Sequence, residues 1–130
     1  MIIGLGIDIC DIKRIENTLA KYGDKFKRRC FTEKEISRCN KVKNFSACFA
    51  KRFASKEATA KALGTGINQG VNWKNIEIIN FDSGKPKIIL HGQANVKLKQ
   101  LLPKDMKPKI SITITDEKGL AQSLVIIEAI

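Results

Sequence analysis

The sequence predicts an α+β fold in which a mostly antiparallel sheet packs against helices. The chain opens with an alternating apolar segment, carries one long helical segment near its middle, and ends in two apolar segments joined by a short polar connection. Helices do not stand between every pair of predicted strands, so an all-parallel β-α-β arrangement is disfavoured. The length of 130 residues predicts a single domain spanning 1–130.

The N-terminal region is predicted to hold one strand and two short helices. Residues 2–9 alternate in the manner of a strand. Asp11 is placed to cap a first helix, which Gly23 would end. Thr32 and Glu35 have the spacing of a capping box, which predicts the start of a second helix.

One long central helix is predicted over about 45–63, because the segment is rich in alanine, lacks glycine and proline, and is followed by Gly64. A shorter helix is predicted over 93–102, with Val96 and Leu101 facing inward. Four further strands complete the prediction, at 73–81, 87–90, 109–115 and 120–127.

The chain is strongly basic, with a formal net charge of +11 and a pI near 9.7. Such a charge favours polyanionic partners, namely nucleic acid, anionic lipid, a nucleotide cofactor or an acidic protein, and does not choose among them. The sequence has no long uncharged apolar segment, which argues against a membrane span. The apolar N-terminus lacks a basic leader and is therefore interpreted as a strand and not as a signal peptide.

The cysteine pattern favours free thiols in a reducing cytosol. The four cysteines stand at 10, 30, 39 and 48, and no pair has the C-x-x-C spacing of zinc or redox sites. The single histidine, His91, is far along the chain from them. A disulfide and a zinc site remain as alternatives.

Asp8 is the first candidate site residue. It is an acid near the end of an apolar strand, on the face that carries Gly4 and Gly6, where missing side chains leave room. A buried carboxylate must be paired, hydrogen-bonded or bound to a metal. The alternative is a strand-end aspartate that caps the next turn.

The central helix supplies the other candidates. Arg52 and Lys56 are four residues apart, so two cations share a face, and a phosphate lying across that face would bond to both. Glu57 and Lys61 have the same spacing, for which the alternative is an ordinary helical salt bridge. The glycines that follow are not a Walker loop, because no Gly-Lys-Ser/Thr follows them.

Taken together, these residues suggest displacement at a diphosphate. Magnesium usually takes one or two protein carboxylates, here Asp8 and Glu57, and binds substrate phosphates as well. Arg52, Lys56 and Lys61 could hold the phosphates, where positioning and charge neutralisation dominate the chemistry. The hypothesis requires the two acids to meet in space.

The sequence resembles the holo-acyl-carrier-protein synthases, the short homotrimeric type of 4′-phosphopantetheinyl transferase. The resemblance rests on two signatures and extends over nearly the whole chain. The first signature is Gly6-Ile-Asp8-Ile with Lys13-Arg-Ile15, and the second is Arg52-Phe-Ala-Ser-Lys-Glu-Ala58 with Lys61-Ala-Leu-Gly-Thr-Gly-Ile67. Later matches are Trp73, Ile76-Glu-Ile78, Gly84-Lys-Pro86 and Ser111-Ile-Thr113.

The resemblance implies an activity and its partners. Such enzymes transfer 4′-phosphopantetheine from coenzyme A to a serine of apo-acyl carrier protein, for fatty acid biosynthesis, and release adenosine 3′,5′-bisphosphate. They use Mg²⁺ and are cytosolic homotrimers with active sites at subunit interfaces. We therefore expect a cytoplasmic 4′-phosphopantetheinyl transferase domain over 1–130 that binds neither nucleic acid nor membrane.

The resemblance also implies roles for particular residues. Asp8 and Glu57 match the metal-binding acids, and Lys61 joins them as a catalytic residue. Segments expected beside coenzyme A supply Arg52, Lys56, Lys61, Gly64, Thr65, Gly66, Lys85 and Pro86. Arg14 matches a residue that meets the acidic carrier protein, and charge adds Lys13, Lys21 and Arg28 to that docking face.

One departure from the family pattern keeps alternatives open. Ile114 stands where these enzymes usually carry a histidine, and isoleucine neither bonds a phosphate nor transfers a proton. One alternative is therefore a catalytically impaired relative that still binds coenzyme A or carrier protein. Another is a basic nucleic-acid-binding module, although aromatic residues are only 6% and no nucleic-acid motif is present.

Overall fold

The computed structural model describes residues 1–130 and confirms the α+β class. Five helices and five strands alternate irregularly along the chain, and a short 3-10 helix precedes the second strand. The elements are β1 Ile2–Asp11, α1 Ile12–Tyr22, α2 Asp24–Cys30, α3 Glu33–Asn40, α4 Phe45–Ala62, the 3-10 helix Trp73–Asn75, β2 Ile76–Asn80, β3 Pro86–Leu90, α5 Gly92–Leu101, β4 Pro108–Glu117 and β5 Leu120–Ala129. None of the helices combines the length and the apolar character that crossing a bilayer requires.

The strands form two antiparallel sheets. The larger sheet has the order β1-β5-β4, and the smaller one is the β2-β3 hairpin. In the larger sheet Asp8 of β1 lies opposite Ser123 of β5, which in turn lies opposite Ile114 of β4. These three residues therefore form one row across the sheet.

The long helix α4 packs against β1 with almost no space between the backbones. A Cβ atom added at Gly6 would overlap the carbonyl oxygen of Ala58, and one added at Gly4 would overlap that of Ala62. On the helix side, alanines that are fully buried or nearly so line the contact. Glycine on the strand and alanine on the helix thus allow the two elements to approach each other closely.

Several local predictions are confirmed. The Asp11 side chain accepts a hydrogen bond from the backbone N–H of Lys13 at 2.9 Å, and α1 ends at Gly23. The capping box of Thr32 and Glu35 is present at the start of α3. The predicted central helix over 45–63 is α4, within one residue at its end.

Other local predictions are wrong. The segment 24–30, for which no helix was predicted, forms α2. The strand predicted over 73–81 begins three residues later, because the 3-10 helix occupies its first part. In α5 the predicted inward residues Val96 and Leu101 are exposed, and Ala94 and Leu98 are buried instead. Ala94 and Leu98 form a weak apolar stripe because alanine is small, so the sequence pattern indicated the wrong face of this helix.

The prediction of four free thiols is also wrong. Cys39 and Cys48 form a disulfide that joins the end of α3 to the first turn of α4. Cys10 and Cys30 are free and buried. No group of three or more histidine, cysteine or acidic side chains is placed to hold a metal ion, so the zinc alternative has no structural support.

Candidate functional site

Asp8 and Lys61 meet where β1 packs against α4, and Glu57 lies near them. The Lys61 ammonium donates hydrogen bonds to Asp8 Oδ1 and to the carbonyl oxygen of Ile7, both at 3.0 Å. Glu57 stands one helical turn before Lys61 on α4. The Lys61 side chain is 52% exposed and the Asp8 side chain 18%, so the cluster lies at the surface and is accessible to a ligand.

The proximity of the two acids is evident in the electrostatics of Glu57. Burial raises the pKa of Glu57, the negative charge of Asp8 raises it further, and the cations Lys61 and Arg14 oppose the shift. A carboxyl group whose ionisation is opposed by a neighbouring carboxylate gains from a bound cation. Asp8 and Glu57 thus lie close enough within one chain for their charges to interact.

Local structure explains why these side chains converge. Side chains two apart in a strand point to the same face, so Asp8 lies on the α4 side of β1 together with Gly4 and Gly6. The two glycines bring the helix close, and the longer side chain of Asp8 projects just beyond the contact. A glycine at position 8 as well would leave Glu57 of α4 without a second acid beside it.

The residues present fit magnesium. Two carboxylates supply hard oxygen ligands, and magnesium keeps several waters and needs few protein ligands. Zinc sites usually contain histidine or cysteine, and Asp8 and Glu57 supply only carboxylates. The Lys61 ammonium balances part of the negative charge of these acids.

A separate cleft lies on the other side of α4, between its first half, the β2-β3 turn and β4. It has a volume of about 650 Å³. Three of the residues expected beside coenzyme A line it, namely Arg52, Lys85 and Pro86, and so does Ile114. Arg38 adds further positive charge, whereas Lys51 is paired with Asp116 of the same lining at 3.3 Å. The cations still outnumber this one acid, so the cleft is suited to an anionic ligand.

Arg52 is the most unusual residue of this cleft. It is only 5% exposed, and burial lowers its pKa. Its guanidinium donates to the side-chain oxygen of Asn80 at 2.7 Å and to the Cys48 sulfur at 3.4 Å. Its Nε has no partner. Since the Nε atom is itself buried, it is the positive charge of Arg52 in the cleft lining that favours an anion there.

Lys56, which the resemblance places beside the phosphates, lies in the interior of the protein. Its side chain is fully buried, and the ammonium donates to Glu35 Oε1 at 2.7 Å and to the carbonyl oxygens of Trp73 and Ile76. All three N–H donors are therefore in use. Lys56 and Arg52 do not share an open face, because α4 is packed on nearly all sides.

The glycine loop lies at the end of α4, close to the acidic cluster. The backbone N–H of Gly64 donates to Lys61 and that of Gly66 to Ala60, so the loop continues directly from the helix. Gly64 and Gly66 have positive φ, and the space beside them is open. Neither they nor Thr65 line the cleft. The expected coenzyme contacts thus fall into two separate groups within one chain.

The residues expected to meet the carrier protein are exposed on α1 and α2. Arg14 lies with its guanidinium 6.0 Å from the centre of the Phe53 ring, close enough to Glu57 to affect its pKa. Lys13 pairs with Glu16, and Lys21 lies over the Tyr22 ring. Arg28 lies on α2, in a shallow groove that also contains acidic side chains.

Comparison with known proteins identifies the family. A model of the 4′-phosphopantetheinyl transferase superfamily matches residues 4–115. The chain belongs to this superfamily. A holo-[acyl-carrier-protein] synthase of Rhizobium leguminosarum bv. trifolii is 52% identical over 130 residues, which cover 100% of this chain and 97% of that protein.

Solved structures agree with this membership of the superfamily. The holo-[acyl-carrier-protein] synthase of Neisseria meningitidis superposes with a TM-score of 0.86 at 34% identity, covering 98% of this chain and 99% of that chain. A synthase of Bacillus anthracis, in complex with CoA (3′,5′-ADP), superposes with a TM-score of 0.78 at 35% identity, covering 98% of this chain and 96% of that one. The predicted family and fold are confirmed.

Two residues near the site were missed by the sequence analysis. Glu35 was recognised only as part of a capping box, although it also holds Lys56 and accepts from the backbone N–H of Ile78. Asn80 was treated as an ordinary strand residue, although it holds Arg52. The capping box was a usable indication for Glu35, because it places that carboxylate at a helix start; nothing in the sequence singled out Asn80.

Proposed function

We propose that this protein transfers the 4′-phosphopantetheine group of coenzyme A to a serine of apo-acyl carrier protein. The products are holo-acyl carrier protein, used in fatty acid biosynthesis in the cytoplasm, and adenosine 3′,5′-bisphosphate. The observation that carries the proposal is the meeting of Asp8, Glu57 and Lys61 at the close contact of β1 and α4. The full-length similarity to holo-[acyl-carrier-protein] synthases supports it.

Asp8 and Glu57 would hold Mg²⁺ through their carboxylates. When bound, the ion supplies positive charge against the diphosphate and the leaving group. Lys61 is well placed to help, because its flexible ammonium lies within hydrogen-bond distance of Asp8 and is half exposed. It can turn from the carboxylate to a phosphate oxygen without leaving the site.

The transfer itself exchanges one phosphorus–oxygen bond for another. The serine oxygen of the carrier protein attacks the β-phosphorus, nearest the pantetheine, and the bond from that phosphorus to adenosine 3′,5′-bisphosphate breaks. One of the two site carboxylates accepts the proton of the serine hydroxyl. Cationic side chains then stabilise the negative charge of the leaving group, in keeping with the basic surface of this protein.

We place the nucleotide part of coenzyme A in the cleft of Arg52, Lys85 and Pro86. The cleft is basic and large enough for a nucleotide, and the Bacillus anthracis relative is in complex with CoA (3′,5′-ADP). Ile114 lines the cleft where the family usually has histidine, so this wall adds apolar contact and no hydrogen bond. The loss of one polar contact leaves the acidic cluster untouched, and we expect activity to persist.

We further propose a homotrimer in which two subunits complete each active site. Leu5, Ile7 and Ile9 are 62%, 52% and 57% exposed on the outer face of β1, an apolar row that a soluble surface rarely leaves open. The cleft and the acidic cluster are separate within one chain, with Asp8, Glu57 and Lys61 absent from the cleft lining. Pairing of subunits through the sheet would allow the cleft of one to face the acids of another.

The carrier-protein surface is proposed to be the exposed basic side of α1 and α2. Arg14 is central to it, because its guanidinium is 6.0 Å from the centre of the Phe53 ring and close enough to Glu57 to lower the pKa of that acid. Lys13, Lys21 and Arg28 extend the positive charge outward. An acidic carrier protein docked here would present its serine to the cluster at the β1–α4 contact.

Weighing the carrier protein tests the proposed activity. The protein is mixed with apo-acyl carrier protein, coenzyme A and magnesium, and the carrier is examined by mass spectrometry. The expected result is a mass gain of one phosphopantetheine that disappears when magnesium is chelated. If the carrier keeps its mass although the protein binds coenzyme A, the protein is an impaired relative. If the protein binds neither coenzyme A nor carrier protein and binds RNA tightly, the nucleic-acid alternative is favoured. The subunit number is read independently from light scattering.

A further inference from the structure

Asn80, the last residue of β2, touches both walls of the cleft. Its side-chain oxygen accepts a hydrogen bond from Arg52 Nη2 at 2.7 Å, and its side-chain amide donates to the carbonyl oxygen of Gly84 at 2.9 Å. We propose that Asn80 is a positioning residue for coenzyme A, which holds the Arg52 guanidinium and the turn bearing Lys85 in one arrangement. This inference rests on the proposed function and assigns a role to a residue outside the family signatures.

Arg52 depends on Asn80 because it has few other partners. Its guanidinium contacts only Asn80 and the sulfur of Cys48, and sulfur is a weak acceptor. Asn80 is thus the only oxygen acceptor available to a side chain that is only 5% exposed. Without it, the guanidinium would be free to change rotamer at the moment when an anion has to be bound.

The chemical nature of the partner matters as much as its position. An amide oxygen orients a guanidinium and leaves its positive charge uncompensated, whereas a carboxylate would neutralise it. The contrast is visible four residues after Arg52 on the same helix, where Lys56 is held by the carboxylate of Glu35 and has no free donor. Arg52, held by an amide, keeps an unpaired Nε.

Asn80 also stabilises the turn on the opposite wall. Within that turn the N–H of Phe81 donates to Lys85 at 2.9 Å, and the N–H of Gly84 donates to Phe81 at 2.8 Å. The bond from Asn80 to Gly84 therefore anchors a hydrogen-bonded turn to the residue that holds Arg52. Two cations of the cleft, Arg52 from α4 and Lys85 from the turn, are thus linked through a single side chain.

Kinetics with two substitutions test the role. Asn80→Ala removes both hydrogen bonds, and we expect the KM for coenzyme A to rise roughly five- to twentyfold with kcat changed by less than about twofold, as for the loss of a binding contact. Asn80→Asp has the same shape and keeps the acceptor for Arg52, but it loses the donor to Gly84 and introduces the charge that neutralises Arg52. We expect its KM to rise at least as much as that of Asn80→Ala, because neutralised Arg52 attracts the anionic ligand less.

A double-mutant cycle shows whether Asn80 acts through Arg52. In an Arg52→Met background, Asn80→Ala should raise the KM by less than about twofold, because the group that it positions is absent. An equal rise in both backgrounds, an unchanged KM in Asn80→Ala, or a wild-type KM in Asn80→Asp would overturn the inference. Asn95→Ala on α5, outside the cleft, is the matched control and should match the wild type.

Two measurements separate the ways in which the test can fail. If Asn80→Ala does not fold by circular dichroism, Asn80→Val, a better strand former without polar atoms, replaces it. Calorimetric binding of coenzyme A is measured beside the kinetics. A wild type that transfers normally, with unaffected variants, overturns the Asn80 role alone; a wild type that neither binds coenzyme A nor transfers its arm overturns the proposed function and the Asn80 role together.

Discussion

Two lysines of α4, Lys56 and Lys61, form ion pairs in opposite environments with carboxylates from other elements. Lys56 and Glu35 are both fully buried, 2.7 Å apart, with every ammonium donor in use. Lys61 and Asp8 are 3.0 Å apart at the surface, beside the incompletely compensated Glu57. The first pair is a closed structural bridge, and the second is an open cluster that retains capacity for a ligand.

The difference shows what distinguishes structure from function in the same pair of residue types. A buried ion pair tolerates no unpaired donor, because desolvation of each charge must be offset by hydrogen bonds. A site that binds a cation and a phosphate instead needs an excess of charge and an approach from solvent. Glu57 supplies the excess negative charge here, because Lys61 pairs with Asp8 and not with Glu57. Burial and the charge of Asp8 both raise the pKa of Glu57, which a bound cation would offset.

The largest expected effect is on stability, at the buried pair. Lys56→Met leaves the Glu35 carboxylate buried without its partner, and we expect the free energy of unfolding to fall by about 3–5 kcal/mol in urea titrations. Lys61→Met is the matched control and should change it by less than about 1 kcal/mol, since that pair is half exposed. Similar losses in both variants would contradict the distinction between the two pairs.

The next effect is on activity, at the open cluster. Glu57→Gln removes a proposed magnesium ligand, and we expect transfer to fall at least about a hundredfold in the carrier-protein mass assay. Glu16→Gln, which changes an exposed acid paired with Lys13, should leave transfer near the wild-type rate. Undiminished transfer by the Glu57 variant would remove this acid from the site.

The same substitution has a pH-dependent effect on stability. The pKa of Glu57 is raised in the folded protein, so the folded state favours the protonated side chain. The contribution of this proton to the free energy of unfolding is therefore fully present at low pH and is lost as the pH rises through the folded-state pKa. Without magnesium, Glu57→Gln should therefore melt at a higher temperature than the wild type near neutral pH. The difference should shrink as the pH is lowered toward about 4, near the ordinary range of a glutamate. A lower melting temperature at neutral pH would contradict the sign.

A smaller effect is expected where the backbones of β1 and α4 touch. Gly6→Ala places a methyl group against the Ala58 carbonyl, and we expect a loss of about 1–3 kcal/mol in stability. Transfer should fall as well, since the displaced helix separates Glu57 from Asp8. Gly119→Ala, at a turn glycine with positive φ and open space around it, measures backbone strain without steric overlap, whereas Gly6 has no positive φ and its loss reflects the overlap. Retained activity in a destabilised Gly6 variant would show that the close contact is not needed to assemble the cluster.

The smallest effect concerns the carrier protein. Lys21→Ala should raise the KM for carrier protein by about two- to threefold at low salt, and added salt should reduce the difference. Lys99→Ala, at the end of α5, removes one charge elsewhere and should have no such effect. A KM that does not respond to salt would argue against docking on α1.

Much of the fold and half of the site could be predicted from the sequence. Helix caps, the alanine-rich α4 and the alternating β1 are local patterns, and local patterns largely decide secondary structure. The glycines on the Asp8 face already indicated a space beside that acid. In the structure α4 occupies this space, and it places Glu57 and Lys61 near Asp8. The match of the superfamily model confirmed the family that the two signatures had indicated.

The sequence by itself determined the family and most of the elements, because both are encoded in local patterns and short signatures, and it singled out Asp8 and Glu57 as candidates. Only the tertiary structure decided that Lys56 is a buried bridge, that Cys39 and Cys48 are joined, and that Asn80 holds Arg52. Such choices depend on which distant residue faces each position. On a helix buried on nearly all sides there is no polar stripe to distinguish an inner lysine from an outer one.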